Sequence, residues 1–296
     1  MIGAVDIGGT KFATGMLSET GEILSRAEAP SLPEDGVRDG LARLRRMLHE
    51  TAGRAGGTLE GIGIGCTGPV DPFTGTLGPN EFLPGWEGLN LVEELQQAFG
   101  VQAAIENDAD AAALGESAWG AGRGAKRFIY VTVSTGIGGG MVFDGRLYRG
   151  AAGAHPEIGH HIIDPSGPVC FCGGRGCWES LAGGRALAKR GKRASALEVC
   201  EAAQRGEAQA LAAVEQEGLY LGLGLANLVT LFVPDVIALG GGVMQSRDLF
   251  WGKIGEIIRT TCGLVPYENT RLVPAALGRD AGLAGAAQVW SKRFGQ

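Results

Sequence analysis

Between Gly153 and Glu179 the chain reads GAHPEIGHHIIDPSGPVCFCGGRGCWE, and three of its six cysteines fall inside that segment. Cys170, Cys172 and Cys177 follow His160 within seventeen residues. Thiolate and imidazole are ligands that zinc prefers, and four of them close a tetrahedral structural site. Gly173, Gly174 and Gly176 let the backbone turn tightly between ligands so close in sequence. Glu157 stands three residues before His160, so a carboxylate beside a metal-bound imidazole suggests a polar pocket held by a zinc loop. The competing reading is one disulfide with a spare thiol, or three buried apolar fillers. Against it, the chain opens on MIGAVDIGG with no secretory signal, so a reduced, cytoplasmic protein is expected. Cys66, Cys200 and Cys262 stand alone in apolar or helical contexts. The spacing is not that of a zinc finger and implies no nucleic acid.

A second candidate lies at Glu106-Asn107-Asp108, where an apolar strand runs into an alanine-rich helix. Asp108 is the candidate catalytic residue and Asn107 its companion. The same residue types also serve as helix N-caps, which is the competing reading. Glycine-rich turns supply a third signal. Residues 2–17 read IGAVDIGGTKFATGML and residues 129–143 read IYVTVSTGIGGGMVF. Each is an apolar strand, a glycine turn with polar residues, and a second strand. Backbone N–H groups in such a turn can cradle phosphate, although a single turn of this kind is weak evidence. Two in matching contexts suggest two related α/β lobes. Gly240-Gly241-Gly242 follow a short buried strand, where a close nucleotide approach or simply a sharp turn is expected.

The elements that must position these groups are legible from periodicity. Val37, Leu41, Leu44 and Leu48 mark an amphipathic helix over 36–55. Residues 61–66 read as a buried strand, 90–99 as a helix closed by Gly100, and 101–105 as a strand. Helices are expected over 109–119, 195–213, 219–232 and 281–290, with a strand over 235–239. The longest apolar run, Leu219 to Val233, is too short and glycine-rich for a membrane span. At 296 residues, with 45% hydrophobic and 20% charged residues, the chain can bury one or two cores. A net charge of −6 argues against non-specific nucleic-acid binding.

Taken in order, these motifs resemble the ROK family of sugar kinases, of the actin–hexokinase superfamily, over essentially the whole chain. Asp6-Ile7-Gly8-Gly9-Thr10-Lys11 looks like its first phosphate motif, and Ser134 to Gly140 like its second. Glu106-Asn107-Asp108 matches its catalytic strand end, and Gly240 to Gly242 are similar to its adenosine motif. Glu157-Ile158-Gly159-His160, with Cys170, Cys172, Cys177 and Glu179, resembles its hallmark. Among the branches the chain looks most like the bacterial glucokinases. Two departures stand out: Glu81-Phe82 reads as an insertion after Asn80, and His155-Pro156 resembles some fructokinases of the family.

The resemblance implies an α/β, actin-like ATPase (ribonuclease H-like) fold with two lobes and a central cleft that closes over sugar. Residues 1–117 with the C-terminal helix 281–296 would form the small lobe, and 118–280 the large lobe with the zinc loop. It implies an ATP:hexose 6-phosphotransferase with Asp108 as general base. Asn107, Glu157, His160 and Glu179 would bind sugar hydroxyls. Asp6, Gly8, Gly9, Thr10, Lys11, Thr135, Gly136, Gly138 and Gly240 to Gly242 would bind ATP and its Mg²⁺. Structural Zn²⁺ would sit on His160, Cys170, Cys172 and Cys177. Glucose is the first substrate, with fructose, mannose, N-acetylmannosamine and N-acetylglucosamine as alternatives. A sugar-sensing regulator is the non-enzymatic alternative, but only five residues precede Asp6, too few for a DNA-binding module. The family resemblance further implies a homo-oligomer, dimer or tetramer, without nucleic-acid or membrane partners.

Overall fold

The computed structural model describes residues 1–295. By its internal contacts the chain divides into two compact units. One comprises Met1–Gly124, Gly140–Pro156 and Ala276–Gln296, the other Ala125–Gly139 and Glu157–Ala275.

The first unit is organised on β1 (Ile2–Ile7), β2 (Lys11–Leu17), β3 (Ile23–Pro30), β4 (Gly61–Cys66) and β5 (Gln102–Asn107). Their order is β3-β2-β1-β4-β5. β1 and β2 form an antiparallel hairpin around Gly8–Thr10, as the apolar–glycine–apolar pattern predicts. β4 and β5 run parallel to β1. Register places Ile7 opposite Cys66 and Cys66 opposite Asn107. The carboxyl ends of three parallel strands therefore finish level, and the segments that leave them are brought together. Open parallel sheets bind ligands at this end.

Alternation along β1 sorts its side chains between two cores. Val5 and Ile7 join Leu44 and Leu48 of α1 (Gly36–Ala55) and Leu91 and Leu95 of α2 (Leu91–Phe99). Ile2 and Ala4 face Leu283, Ala284 and Ala287 of the C-terminal helix (Ala281–Phe294). That helix also packs on α3 (Asp108–Trp119). The two approach so closely that a Cβ on Gly115 would lie 2.6 Å from Gly285 N. The alanines and glycines of both helices are thus a packing requirement.

The second unit holds β6 (Arg127–Val133), β9 (Val236–Gly240) and β10 (Arg271–Pro274), all parallel. The full sheet runs β10-β9-β6-β7-β8, with β7 at Ile137–Phe143 and β8 at Arg146–Leu147. Counted from its first strand, this is the same order as the first sheet, which bears out two related α/β halves. Thr132 pairs with Gly240, so the Ser134–Gly136 turn and the glycine triplet leave neighbouring strands at the same end.

Two helices expected over 195–213 and 219–232 are divided otherwise. α6 spans Ala196–Gln204, and α7 is one helix over Ala208–Phe232. Gly206 has φ 83, which terminates α6 in the left-handed region. Gly218, Gly222 and Gly224 do not interrupt α7, because each is where a neighbour packs: Lys253, Ile257 and Trp178. Tertiary burial outweighs the roughly 1 kcal/mol helix penalty of each glycine. Among the described residues no helix is long and apolar enough to cross a membrane.

Candidate functional site

In the first unit the candidate groups converge on the level strand ends. Asp108 opens α3, half-buried, and its Oδ1 accepts from Ala109 N at 2.9 Å. Asn107 is the N-cap: its Oδ1 accepts from Ala109 N at 2.8 Å and Asp110 N at 3.3 Å. Its Nδ2 donates to Gly68 O at 3.4 Å, leaving a second N–H. Capping and a site role therefore coexist in one side chain.

Asp6 lies between Ala13 and Gly65 in register. The first turn of the C-terminal helix covers it so closely that a Cβ on Gly282 would collide with its carboxylate. Burial, followed by the charge of Asp108, pushes the Asp6 carboxyl up to about 7. Two carboxylates that repel across a strand end need a cation or a proton, as a phosphate-metal site provides.

Gly8 and Gly9 turn between β1 and β2, with Gly8 N donating to Lys11 O at 2.9 Å. Thr10 and Lys11 are exposed. Lys11 Nζ is 2.7 Å from Glu28 Oε1, and this pairing holds the Glu28 carboxyl below its ordinary value. Phe82, from the apparent insertion, packs on the same turn: a Cβ on Gly9 would lie 2.7 Å from Phe82 Cβ. Asn80 braces that segment, donating to Thr67 O at 2.7 Å and accepting from Phe82 N at 2.9 Å.

In the second unit His160, Cys170, Cys172 and Cys177 place their ligand atoms within 4.8 Å of one another. Cys170 Sγ is 3.5 Å from His160 Nδ1, and Cys172 Sγ is 3.5 Å from Cys177 Sγ. Ligands at about 2.0–2.3 Å from a tetrahedral zinc stand about 3.5–3.8 Å apart, so these two spacings suit that ion. All the cysteines are free thiols, and no disulfide competes for these sulfurs. Gly173 and Gly176 have φ of 90 and 73, as the tight loop requires.

Glu179, on the short helix after Cys177, turns one oxygen to the second glycine turn: its Oε2 accepts from Ile137 N at 2.8 Å. Gly136 faces that carboxylate with no room for a Cβ. Thr135 is exposed, and Gly138 lies one residue inside β7. Gly184 N donates to Ser134 O at 2.8 Å, so the start of a following helix, Gly184–Gly191, anchors the turn. Gly240 and Gly241 press against Tyr130 and Val133, whereas Gly242 has open space where a side chain would stand. Glu157 is exposed.

Glu116 and Asp110 escaped the sequence reading, and the partner of Glu106 did too. Glu116 is wholly buried and accepts from Ala121 N at 2.8 Å, Ala276 N at 3.1 Å and Leu277 N at 2.7 Å. Asp110 and Glu106 are buried beside the Asn107-Asp108 pair and meet His155 and Arg149. Only the acidic residues' closeness to Asp108 in sequence could have flagged them.

Comparison with known proteins agrees across the chain. The ROK family model matches residues 2–293. A glucokinase of Thermotoga maritima is 32% identical, covering 98% of this chain and 97% of its own. The solved ROK hexokinase of Thermus thermophilus has a TM-score of 0.87 at 36% identity, covering 99% of this chain and 98% of that one. A ROK glucokinase from Streptomyces griseus, solved with glucose and AMPPNP, has a TM-score of 0.83 at 32% identity, covering 97% of each chain.

Proposed function

The chain belongs to the ROK family, and from that premise we propose that it transfers the γ-phosphoryl group of ATP to a hexose, glucose first, giving the 6-phosphate. One observation carries the reading: Asp108 and Asp6 both border Gly65 at the carboxyl end of the sheet, where a Cβ on Gly65 would lie 3.7 Å from Asp108 Cα and 3.9 Å from Asp6 Oδ1. The proposed base and the proposed phosphate-side carboxylate thus stand at the same end of the sheet, with β4 between their strands.

Asp108 accepts the proton of the attacking hydroxyl, while the bond its Oδ1 accepts from Ala109 N fixes the carboxylate. Asn107 donates its free N–H to a neighbouring hydroxyl. Glu157, the His160 Nε2 atom and the Glu179 Oε1 atom bind the remaining hydroxyls. Glu179 thereby ties hexose recognition to the second phosphate turn, because its other oxygen already holds Ile137 N. Gly8 shapes the first turn, its own N–H being held by Lys11 O, while backbone N–H groups at Gly9, Gly136 and Gly138 and the hydroxyls of Thr10 and Thr135 face the phosphates. Lys11, steadied by Glu28, offsets their charge. Gly240 to Gly242 let adenosine approach the backbone, with Gly242 the open position.

Asp6 would hold the magnesium that arrives with ATP, and the ion would supply neutralisation of phosphate charge. Zinc would be held by His160 Nδ1 and the sulfurs of Cys170, Cys172 and Cys177, and its contribution is structural because all four positions are filled. His160 Nδ1 is then committed, which fixes the ring so that Nε2 can serve sugar. We place the activity in the cytoplasm, at the entry of hexose into glycolysis, in a dimer or tetramer. The His155-Pro156 pair makes fructose the second substrate to try.

ADP release with Mg-ATP across glucose, fructose, mannose, N-acetylmannosamine and N-acetylglucosamine tests the proposal. Glucose is expected to lead in kcat/KM, and Asp108→Asn to lose about 10²–10⁴-fold. Turnover of no hexose by zinc-loaded protein, or a tenth of the rate left in Asp108→Asn, would refute it.

A further inference from the structure

The segment before Glu157 enters no step of that transfer, yet it is bound at both ends to the catalytic turn. His155 Nδ1 lies 2.7 Å from Asp110 Oδ2. Asp110 sits two residues after Asp108 on α3 and has no exposed surface. Six residues before His155, Arg149 donates to Glu106 Oε1 at the end of β5. Glu106 and Asp110 bracket Asn107-Asp108, so each buried acid beside that pair is met by a base from one short stretch. The other oxygens, Glu106 Oε2 and Asp110 Oδ1, have no hydrogen-bond partner. A carboxylate removed from water requires such compensation, and Arg149 and His155 supply it.

Between these two anchors the chain folds into a compact turn. Gly150 N donates to Ala154 O at 2.8 Å, and Ala154 N to Ala151 O at 3.1 Å. Ala152 has φ 54, a left-handed conformation that an alanine holds only when its surroundings impose it. Gly153 abuts the Phe73 ring, and the Arg149 guanidinium lies 6.0 Å from the centre of that ring. Pro156, with its fixed φ, is the one residue between His155 and Glu157, so little slack separates them.

We propose that Arg149–His155 is a two-point clamp on the turn carrying Asn107 and Asp108, and that His155 is a positioning residue for hexose recognition through Glu157. The inference rests on the kinase reading for its substrate, but the clamp itself can be tested without one.

Hydrogen exchange on the full chain without sugar is the first test. His155→Ala should speed exchange at Gly150, Gly153 and Ala154 at least tenfold, with α1 unchanged. Exchange equal to the wild type would overturn the clamp, whatever the protein phosphorylates. Kinetically, His155→Ala should raise the hexose KM about tenfold to a hundredfold, as a misplacement of Glu157 by about 1 Å can cost, with the ATP KM unmoved. His155→Gln can still donate to Asp110 and should recover most of that loss. The double variant His155→Ala/Asp110→Ala removes the stranded buried carboxylate, so thermal stability should return while the hexose KM stays high. If KM recovers with stability, His155 serves packing alone and the positioning role is refuted. A wild type inactive on every hexose would overturn the kinase reading, leaving the exchange result to decide the clamp.

Discussion

Asp6→Asn should make the protein's stability less dependent on pH, and the size of the change follows from the site. In the unfolded chain the Asp6 carboxyl titrates near 3.8, and in the folded chain burial and then Asp108 push it up to about 7, with Lys11 pulling the other way. Between those values the folded state binds more protons than the unfolded state. Stability contributed by this group therefore falls as pH rises through the window. Above pH 7 the full penalty applies, about 4 kcal/mol at about 1.4 kcal/mol per pH unit. At pH 5.5 about 2 kcal/mol of it has accrued, so about 2 kcal/mol remains to be lost by pH 8. Asparagine keeps the shape without the titration, and any fixed packing difference cancels when two pH values are compared. The variant should gain about 2 kcal/mol on the wild type between pH 5.5 and 8. For a chain of 296 residues that is about 3 °C in Tm, at about 2 cal/mol/K of unfolding entropy per residue. Calorimetry of both proteins at both pH values, without nucleotide, measures it. A melting difference equal at the two pH values within a degree would refute the reasoning. Activity should be lost at either pH if, as proposed, that carboxylate serves the metal-phosphate site.

Metal analysis should find one zinc per chain, and Cys172→Ser should both release it and weaken hexose binding; active protein without zinc would contradict the assignment. Glu116→Ala strands three backbone N–H donors, and urea unfolding should show a loss of about 3 kcal/mol or more; a loss under 1 kcal/mol would mean water replaces the carboxylate. Gly136→Ala should displace Glu179 and lower kcat/KM at least tenfold, with Tm changed by only a few degrees; unchanged kinetics would separate Glu179 from the second phosphate turn.

Much of this protein was legible in its sequence because the governing signals are local. The β1–β2 hairpin announces itself through apolar runs around Gly8 and Gly9, and α1 through its period. The proposed zinc ligands are legible because three of the four lie within eight residues, where glycines allow the chain to bring sulfurs together. Asn107-Asp108 is legible because a strand end running into an N-cap is a short-range pattern. What remained hidden depends on partners far away in the chain. His155 meets Asp110 across 45 residues, and Glu116 reaches Leu277 across 161. No period or spacing encodes such pairs, since burial selects them only after the sheets have formed. The same holds for Lys11 with Glu28, for Phe82 on Gly9, and for the three glycines that pass unbroken through α7. Sequence by itself determined which chemistry the chain carries and which elements bear it. Tertiary structure alone decided which strand ends stand level and which buried charges are answered, because both depend on packing between residues that no local rule relates.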